Sequence, residues 1–167
     1  ADASTYPASL TKMMTLYLAF GALDSGTFKL DQPLPVSQYA ASRTPSRLGL
    51  KRGQRLAVRD AIMGLITKSA NDAAVVLAEA MAGSEVDFAR VMTEKAQELG
   101  MTQTTFRNPS VLPHRAQLTT ARDMATLGRA LIAHFPQQYQ LFATVNYRYN
   151  GRILRNHNRL LTSYEGT

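Results

Sequence analysis

The sequence predicts a mostly α-helical unit in which strands occur only in short hairpins. Five segments repeat apolar residues at the three- and four-residue spacing of a buried helix face. Glycine, proline and polar clusters separate these segments, and an Asn-Gly pair stands between two short strand-like stretches. Helical pattern therefore clearly outweighs strand pattern along the chain.

The first helix is predicted over residues 8–22, directly after Pro7, because proline fits the first turn of a helix. Its apolar stripe is broad, so we expect this helix to be deeply buried. The stripe consists of Leu10, Met13, Leu16, Tyr17 and Phe20. Two short strands are predicted next, at 34–36 and 55–58, around a turn at Gly53.

Two strongly apolar helices are predicted over residues 60–68 and 72–81, with Ser69-Ala70-Asn71 interrupting them. Ser84 and Thr120 each precede an aspartate by three residues. That spacing resembles a capping box, so each is predicted to begin a helix.

The last predicted element is a hairpin. Residues 145–149 and 152–155 alternate polar and apolar side chains on either side of Asn150-Gly151. An Asn-Gly pair favours the two-residue turn that joins antiparallel strands.

Composition excludes several classes of function. The 167 residues carry 19 Lys and Arg against 12 Asp and Glu, a net charge of +7 that favours anionic partners. The cations are not interleaved with aromatic residues and Trp is absent, so we expect no nucleic-acid partner. The absence of Cys excludes thiolate metal sites and cysteine nucleophiles, and the three His lack metal-ligand spacing. We therefore expect no metal site built from Cys or His, and a serine–lysine pair needs neither a metal nor a cofactor.

Ser9 and Lys12 are the first candidate catalytic residues. At a spacing of three they share one face of a helix, and Ser9 lies where free backbone N–H groups favour a developing negative charge. A desolvated lysine has a depressed pKa and can take the proton of a serine hydroxyl. On this pattern alone, a helix start with an exposed lysine remains an alternative.

Ser69 and Asn71 are the second candidates. A tight turn between two apolar helices can point both side chains one way. The hydroxyl can relay a proton, and the amide can both donate to and accept from a substrate peptide group. The alternative is that these residues only cap a helix. The carboxylates show no catalytic pairing and no glycine-rich phosphate loop is present, which argues against a two-carboxylate glycosidase and an ATPase.

Two motifs at this spacing carry a resemblance that covers essentially the whole chain. Pro7-Ala8-Ser9-Leu10-Thr11-Lys12 is followed about sixty residues later by Ser69-Ala70-Asn71-Asp72. Together they resemble the penicillin-binding serine D-Ala-D-Ala carboxypeptidases. Supporting segments match that family as well: Leu48-Gly49-Leu50-Lys51, Val58-Arg59-Asp60, Thr104-Thr105-Phe106, Thr119-Thr120-Ala121-Arg122-Asp123 and Asn156-His157-Asn158.

The resemblance implies an α/β fold of the β-lactamase/transpeptidase type and a role for each motif residue. Ser9 would be the nucleophile that forms an acyl-enzyme, and its backbone N–H would supply half of the oxyanion hole. Lys12 would be its base, Ser69 would pass a proton to the leaving D-alanine, and Asn71 would bind the substrate amide.

The resemblance also implies the partners. The substrate would be the D-Ala-D-Ala end of peptidoglycan stem peptides, and β-lactams would be covalent inhibitors. The expected location is the bacterial periplasm or the outer face of the inner membrane, with peripheral membrane association through segments outside this chain.

Two departures from the family pattern shape the expected domain organisation. The third motif, Lys-Thr-Gly, is absent, so residues 1–167 are expected to be an incomplete catalytic domain whose flanking sheet strands are missing. Val111 stands where relatives commonly carry glycine, so that loop is expected to differ locally.

Two other functions remain open. One is a β-lactamase or esterase of the same fold, disfavoured because no Glu-x-x-Leu-Asn loop occurs. The other is a catalytically silent fragment or binding module, which the absent third motif would permit.

Overall fold

The structure is a computed structural model and describes residues 1–110 and 115–164. Within these residues, helices dominate and the strands form two antiparallel pairs. The helices are α1 (Thr11–Asp24), α2 (Gln38–Ala41), α3 (Val58–Lys68), α4 (Asn71–Ala82), α5 (Glu85–Glu98), α6 (Ala121–His134), α7 (Pro136–Tyr139) and α8 (Leu160–Ser163). The strands are β1 (Pro33–Pro35), β2 (Arg55–Ala57), β3 (Asn146–Tyr149) and β4 (Arg152–Arg155). The predicted mostly helical architecture with short strands is confirmed.

Helix α4 lies at the centre of the core. All of its first eight residues, 71–78, are buried, so the helix has neighbours on every side. Most of these residues are small, which lets α1, α3 and α5 approach it closely. The largest fully buried side chains around it include Phe20, Ile62, Phe88 and Leu127. The start of α4, which carries Asn71, is therefore held from several directions.

The beginning of the first helix differs from the prediction. Residues Ala8–Leu10 form a 3-10 helix, and α-helical geometry starts only at Thr11. A 3-10 helix turns by about 120° per residue rather than 100°, so residues before Thr11 leave the predicted apolar stripe. Leu10 is accordingly 50% exposed, and Met13 is only partly buried, whereas the neighbouring Met14 is fully buried. Leu16, Tyr17 and Phe20 are buried as predicted.

The strands lie where the sequence indicates, with one difference in connection. Strand β1 pairs with β2 through Leu34 opposite Leu56, but α2 stands between them, so they do not form a simple hairpin. Gly53, at φ +77°, lies in the predicted turn just before β2. Strands β3 and β4 do form a hairpin, with Asn150 and Gly151 both at positive φ.

The predicted helix caps are also present. The hydroxyl oxygens of Ser84 and Thr120 accept hydrogen bonds from the backbone N–H groups of Asp87 and Asp123. The expectation for Val111 lies outside the described residues. No helix in the described parts of the chain combines the length and apolar character needed to cross a bilayer.

Candidate active site

The junction between α3 and α4 is unusually tight. Ser69 ends α3 with φ +53°, in the left-handed region, and α4 starts two residues later at Asn71. A non-glycine residue in this region costs roughly 1–2 kcal/mol, and such strain clusters at functional sites. The Ser69 hydroxyl oxygen is buried and has no hydrogen-bond partner among the residues the structure describes. A buried hydroxyl without a partner is rare in folded proteins, which makes Ser69 a candidate functional residue.

Lys12 and Asn71 meet at the start of α1 and α4. Lys12 Nζ donates a buried hydrogen bond of 2.8 Å to Asn71 Oδ1, and Asn71 Nδ2 donates to the carbonyl oxygen of Thr44 at 3.1 Å. Both side chains are almost fully buried. The Asn71 side chain therefore bonds outside its own helix, and the alternative that it serves only as a cap is wrong. The exposed-lysine alternative is also wrong, because Lys12 is only 3% exposed.

Burial changes the protonation of Lys12. Loss of solvation disfavours the ammonium form and lowers the pKa of Lys12 to about 8. Its only described hydrogen-bond partner is a neutral amide oxygen, so no carboxylate restores the charged form. At neutral pH about a tenth of such a lysine is neutral, against well under a hundredth for an exposed lysine. Lys12 is thus suited to accept a proton.

Asp72 holds the loop of residues 44–50, which contacts Asn71. Its fully buried carboxylate accepts hydrogen bonds of 2.9–3.1 Å from the backbone N–H groups of Leu48, Gly49 and Leu50. The Asn71 backbone N–H donates to the Ser46 carbonyl oxygen at 2.7 Å. This loop also contains Thr44, which accepts from Asn71, so Asp72 helps to hold the amide in place. Sequence reasoning noted Asp72 only as part of a motif.

Gln117 provides a second support that sequence reasoning missed. Its side-chain oxygen accepts from the backbone N–H groups of Arg107 and Asn108, at 2.9 and 3.0 Å. Its side-chain nitrogen donates to Thr11 Oγ1, next to Lys12, at 3.2 Å. This buried amide ties the 107–108 segment to the first turn of α1. Only the polar character of Gln117 between apolar neighbours distinguishes it in the sequence.

Ser9 lies in the 3-10 helix, three residues before Lys12. The 3-10 helix continues directly into α1, and residues three apart share a face in both helix types, which places Ser9 on the side of Lys12. The preceding residue, Ala8, has φ +47° and adds a second strained position near the site. Ser9 is exposed, and no hydrogen bond within the described chain engages its hydroxyl. Its side chain is therefore accessible from solvent.

The structure thus joins Lys12 to Asn71 directly, with Ser9 and Ser69 flanking the pair along the chain. A serine, a lysine of lowered pKa and a buried amide form a set that can carry out nucleophilic acyl transfer. In the described residues, no three His, Asp or Glu side chains come together as a metal site.

Comparisons with known proteins identify the family to which the chain is similar. The family model described as D-alanyl-D-alanine carboxypeptidase matches residues 1–166. The D-alanyl-D-alanine carboxypeptidase DacC of Escherichia coli is 40% identical over 169 residues, which cover 98% of this chain and 42% of the relative.

Solved structures give the same result. Penicillin-binding protein 5 from Haemophilus influenzae superposes with a TM-score of 0.91 at 34% identity, covering 96% of this chain and 47% of that one. Penicillin-binding protein D2 from Listeria monocytogenes, in its ampicillin-bound form, gives 0.86 at 29% identity, covering 98% of this chain and 67% of that one. The predicted fold class is confirmed. The chain spans less than half the length of the curated relative.

Proposed function

The chain belongs to the D-alanyl-D-alanine carboxypeptidase family, and from this premise we propose that it is part of a serine carboxypeptidase that removes the terminal D-alanine from peptidoglycan stem peptides. Residues 1–167 would form one part of its catalytic domain, and the third motif would lie outside them. The observation that carries the proposal is the buried Lys12–Asn71 hydrogen bond, because it holds a lysine of lowered pKa beside the strained segment that carries Ser9.

The proposed reaction has two steps. Ser9 Oγ attacks the carbonyl carbon of the penultimate D-alanine, and its proton passes to neutral Lys12. The C–N bond breaks, the terminal D-alanine leaves as an amine that receives a proton through Ser69, and Ser9 remains acylated. Water then hydrolyses the ester and restores the free serine. No electron transfer and no cofactor are required.

The other motif residues position the substrate in this proposal. Asn71 binds the peptide amide while it also holds Lys12, because its Nδ2 has two N–H donors and only one of them is needed for the bond to Thr44. The Ser9 backbone N–H supplies one donor to the developing oxyanion.

β-Lactams are proposed as covalent inhibitors of the same serine. The support is the ampicillin-bound form of the Listeria monocytogenes relative, which shares the fold at 29% identity. Because the proposed substrate is peptidoglycan, the proposed location is the bacterial periplasm or the outer face of the inner membrane.

The test is release of D-alanine from a short acylated Lys-D-Ala-D-Ala peptide by the full-length protein. We expect activity in the wild type and its loss in Ser9→Ala. Ser25→Ala is the matched control, because Ser25 is an exposed hydroxyl just beyond the far end of α1. Ser9→Ala that releases D-alanine at the wild-type rate would contradict the proposal.

A further inference from the structure

The positive charge of the protein is concentrated in two segments, 42–70 and 145–164. They contain eleven of the 19 Lys and Arg but only one of the 12 Asp and Glu, Asp60. These segments therefore carry a formal charge of +10, whereas the remainder of the chain carries −3. Nine of the eleven cations are exposed, and none of the nine takes part in a salt bridge between described residues. Unpaired exposed cations create a strong local field.

The two segments meet on one side of the molecule. The β3–β4 hairpin packs on α3, where Tyr147 Oη donates to Asp60 Oδ1 at 2.6 Å. Gln54 Nε2 donates to Tyr149 Oη at 3.1 Å. A groove of about 220 Å³ lies between the two segments, bordered by Lys51 on one and Arg152 on the other. We call this side the basic face, defined by the exposed cations of 47–59 and 148–159.

The basic face extends to the candidate active site. Ser46, beside Arg47, donates through its hydroxyl to the Lys68 carbonyl oxygen at 2.6 Å. The backbone N–H of His157 donates to the Thr67 carbonyl oxygen at 3.1 Å, two residues before Ser69. A second groove, of about 910 Å³, is bordered by Arg155 and continues along the segment that follows β4. Both charged segments therefore run from the grooves to the α3–α4 junction.

We propose that the basic face binds the carboxylate-rich peptides of polymeric peptidoglycan and so retains the polymer while one stem peptide occupies the site. This inference rests on the proposed function. The cations of the basic face are mostly arginine, and the arginine guanidinium pairs with carboxylates through two parallel hydrogen bonds. Cations of the basic face border two grooves, a shape that fits a chain-like anion better than a flat lipid surface does.

The test compares polymer binding with turnover of a small substrate. The full-length double variant Lys51→Glu/Arg152→Glu reverses the charge on both sides of the smaller groove. The matched control, Arg90→Glu/Arg129→Glu, makes the same change in net charge on α5 and α6. Binding is measured by co-sedimentation with purified peptidoglycan sacculi at low and at about 0.5 M salt, and with vesicles of phosphatidylglycerol and phosphatidylethanolamine.

We expect the groove variant to bind sacculi about tenfold more weakly at low salt, a difference that about 0.5 M salt removes. The control should change binding by less than about twofold, and both variants should release D-alanine from the short peptide at the wild-type rate. Equal losses in both variants, or none in either, would overturn the proposal. Loss of vesicle binding with unchanged sacculus binding would make the membrane the partner and overturn it as well. Failure of the wild type to release D-alanine would refute the proposed function alone, because sacculus binding does not depend on catalysis.

Discussion

The pH dependence of acylation follows from the burial of Lys12. Its Nζ has one described partner, a neutral amide oxygen, and burial lowers its pKa to about 8. If neutral Lys12 is the base, the acylation rate should follow the neutral fraction. That fraction is about 1% at pH 6, about 10% at pH 7 and about 90% at pH 9, so the rate should rise about 90-fold from pH 6 to 9 and then level off.

The assay is the second-order rate constant for acylation of the full-length protein by a fluorescent penicillin, measured between pH 6 and 10.5. Circular dichroism at each pH verifies that the protein stays folded. A lysine with its ordinary pKa of 10.5 would give a rate that still rises at pH 10. A midpoint near 10.5, or a rate that is flat between pH 6 and 9, would refute the link between burial and proton acceptance.

Three further predictions concern Lys12 and its supports. First, Lys12→Arg should lose acylation nearly as completely as Lys12→Ala in the same penicillin assay, because arginine stays charged; half the wild-type rate would leave only an electrostatic role. Second, Lys12→Met should unfold in urea with a free energy about 1–2 kcal/mol higher than wild type at pH 7. Below pH 8, burying the Lys12 ammonium costs about 3 kcal/mol of folding free energy, and methionine removes this cost. The Asn71 oxygen then loses its hydrogen bond, which offsets part of the gain in stability. The cost of the buried ammonium disappears as the pH rises from about 8 to 10.5, so Lys12→Met should lose its stability advantage over this range. A difference in unfolding free energy that stays constant with pH would contradict the lowered pKa of Lys12. Third, Asp72→Asn should lower the free energy of unfolding by about 2–4 kcal/mol and slow acylation, because an amide cannot accept all the N–H groups of the 48–50 loop; unchanged acylation would show that this loop does not hold Asn71.

Local features of the fold could be predicted from the sequence because neighbouring residues determine them. The caps at Ser84 and Thr120 need only a hydroxyl and the backbone three residues on, and both form. The Asn150-Gly151 turn needs two residues that tolerate positive φ, and both adopt it. The exposure of Leu10 could not be predicted, because apolar spacing assumes α-helical geometry and the chain begins with a 3-10 turn.

The site could be predicted only in part, because its contacts join distant residues. Lys12 and Asn71 are 59 positions apart, and no local pattern states that their helices meet. The resemblance of two motifs to a family predicts that both serve one reaction, but it does not predict their hydrogen bond. Asp72 and Gln117 bond to backbone N–H groups of remote loops, which leave no periodic trace in side-chain types.

The most direct test of the central claim is the mass of the protein after incubation with ampicillin. The protein should gain the full mass of one ampicillin molecule. Fragmentation should place the adduct on Ser9 within the tryptic peptide that ends at Lys12, which also contains Ser4, Thr5 and Thr11. The adduct should be absent from Ser9→Ala and present in Ser4→Ala. An adduct that persists in Ser9→Ala, or one that maps to another hydroxyl, would contradict the account.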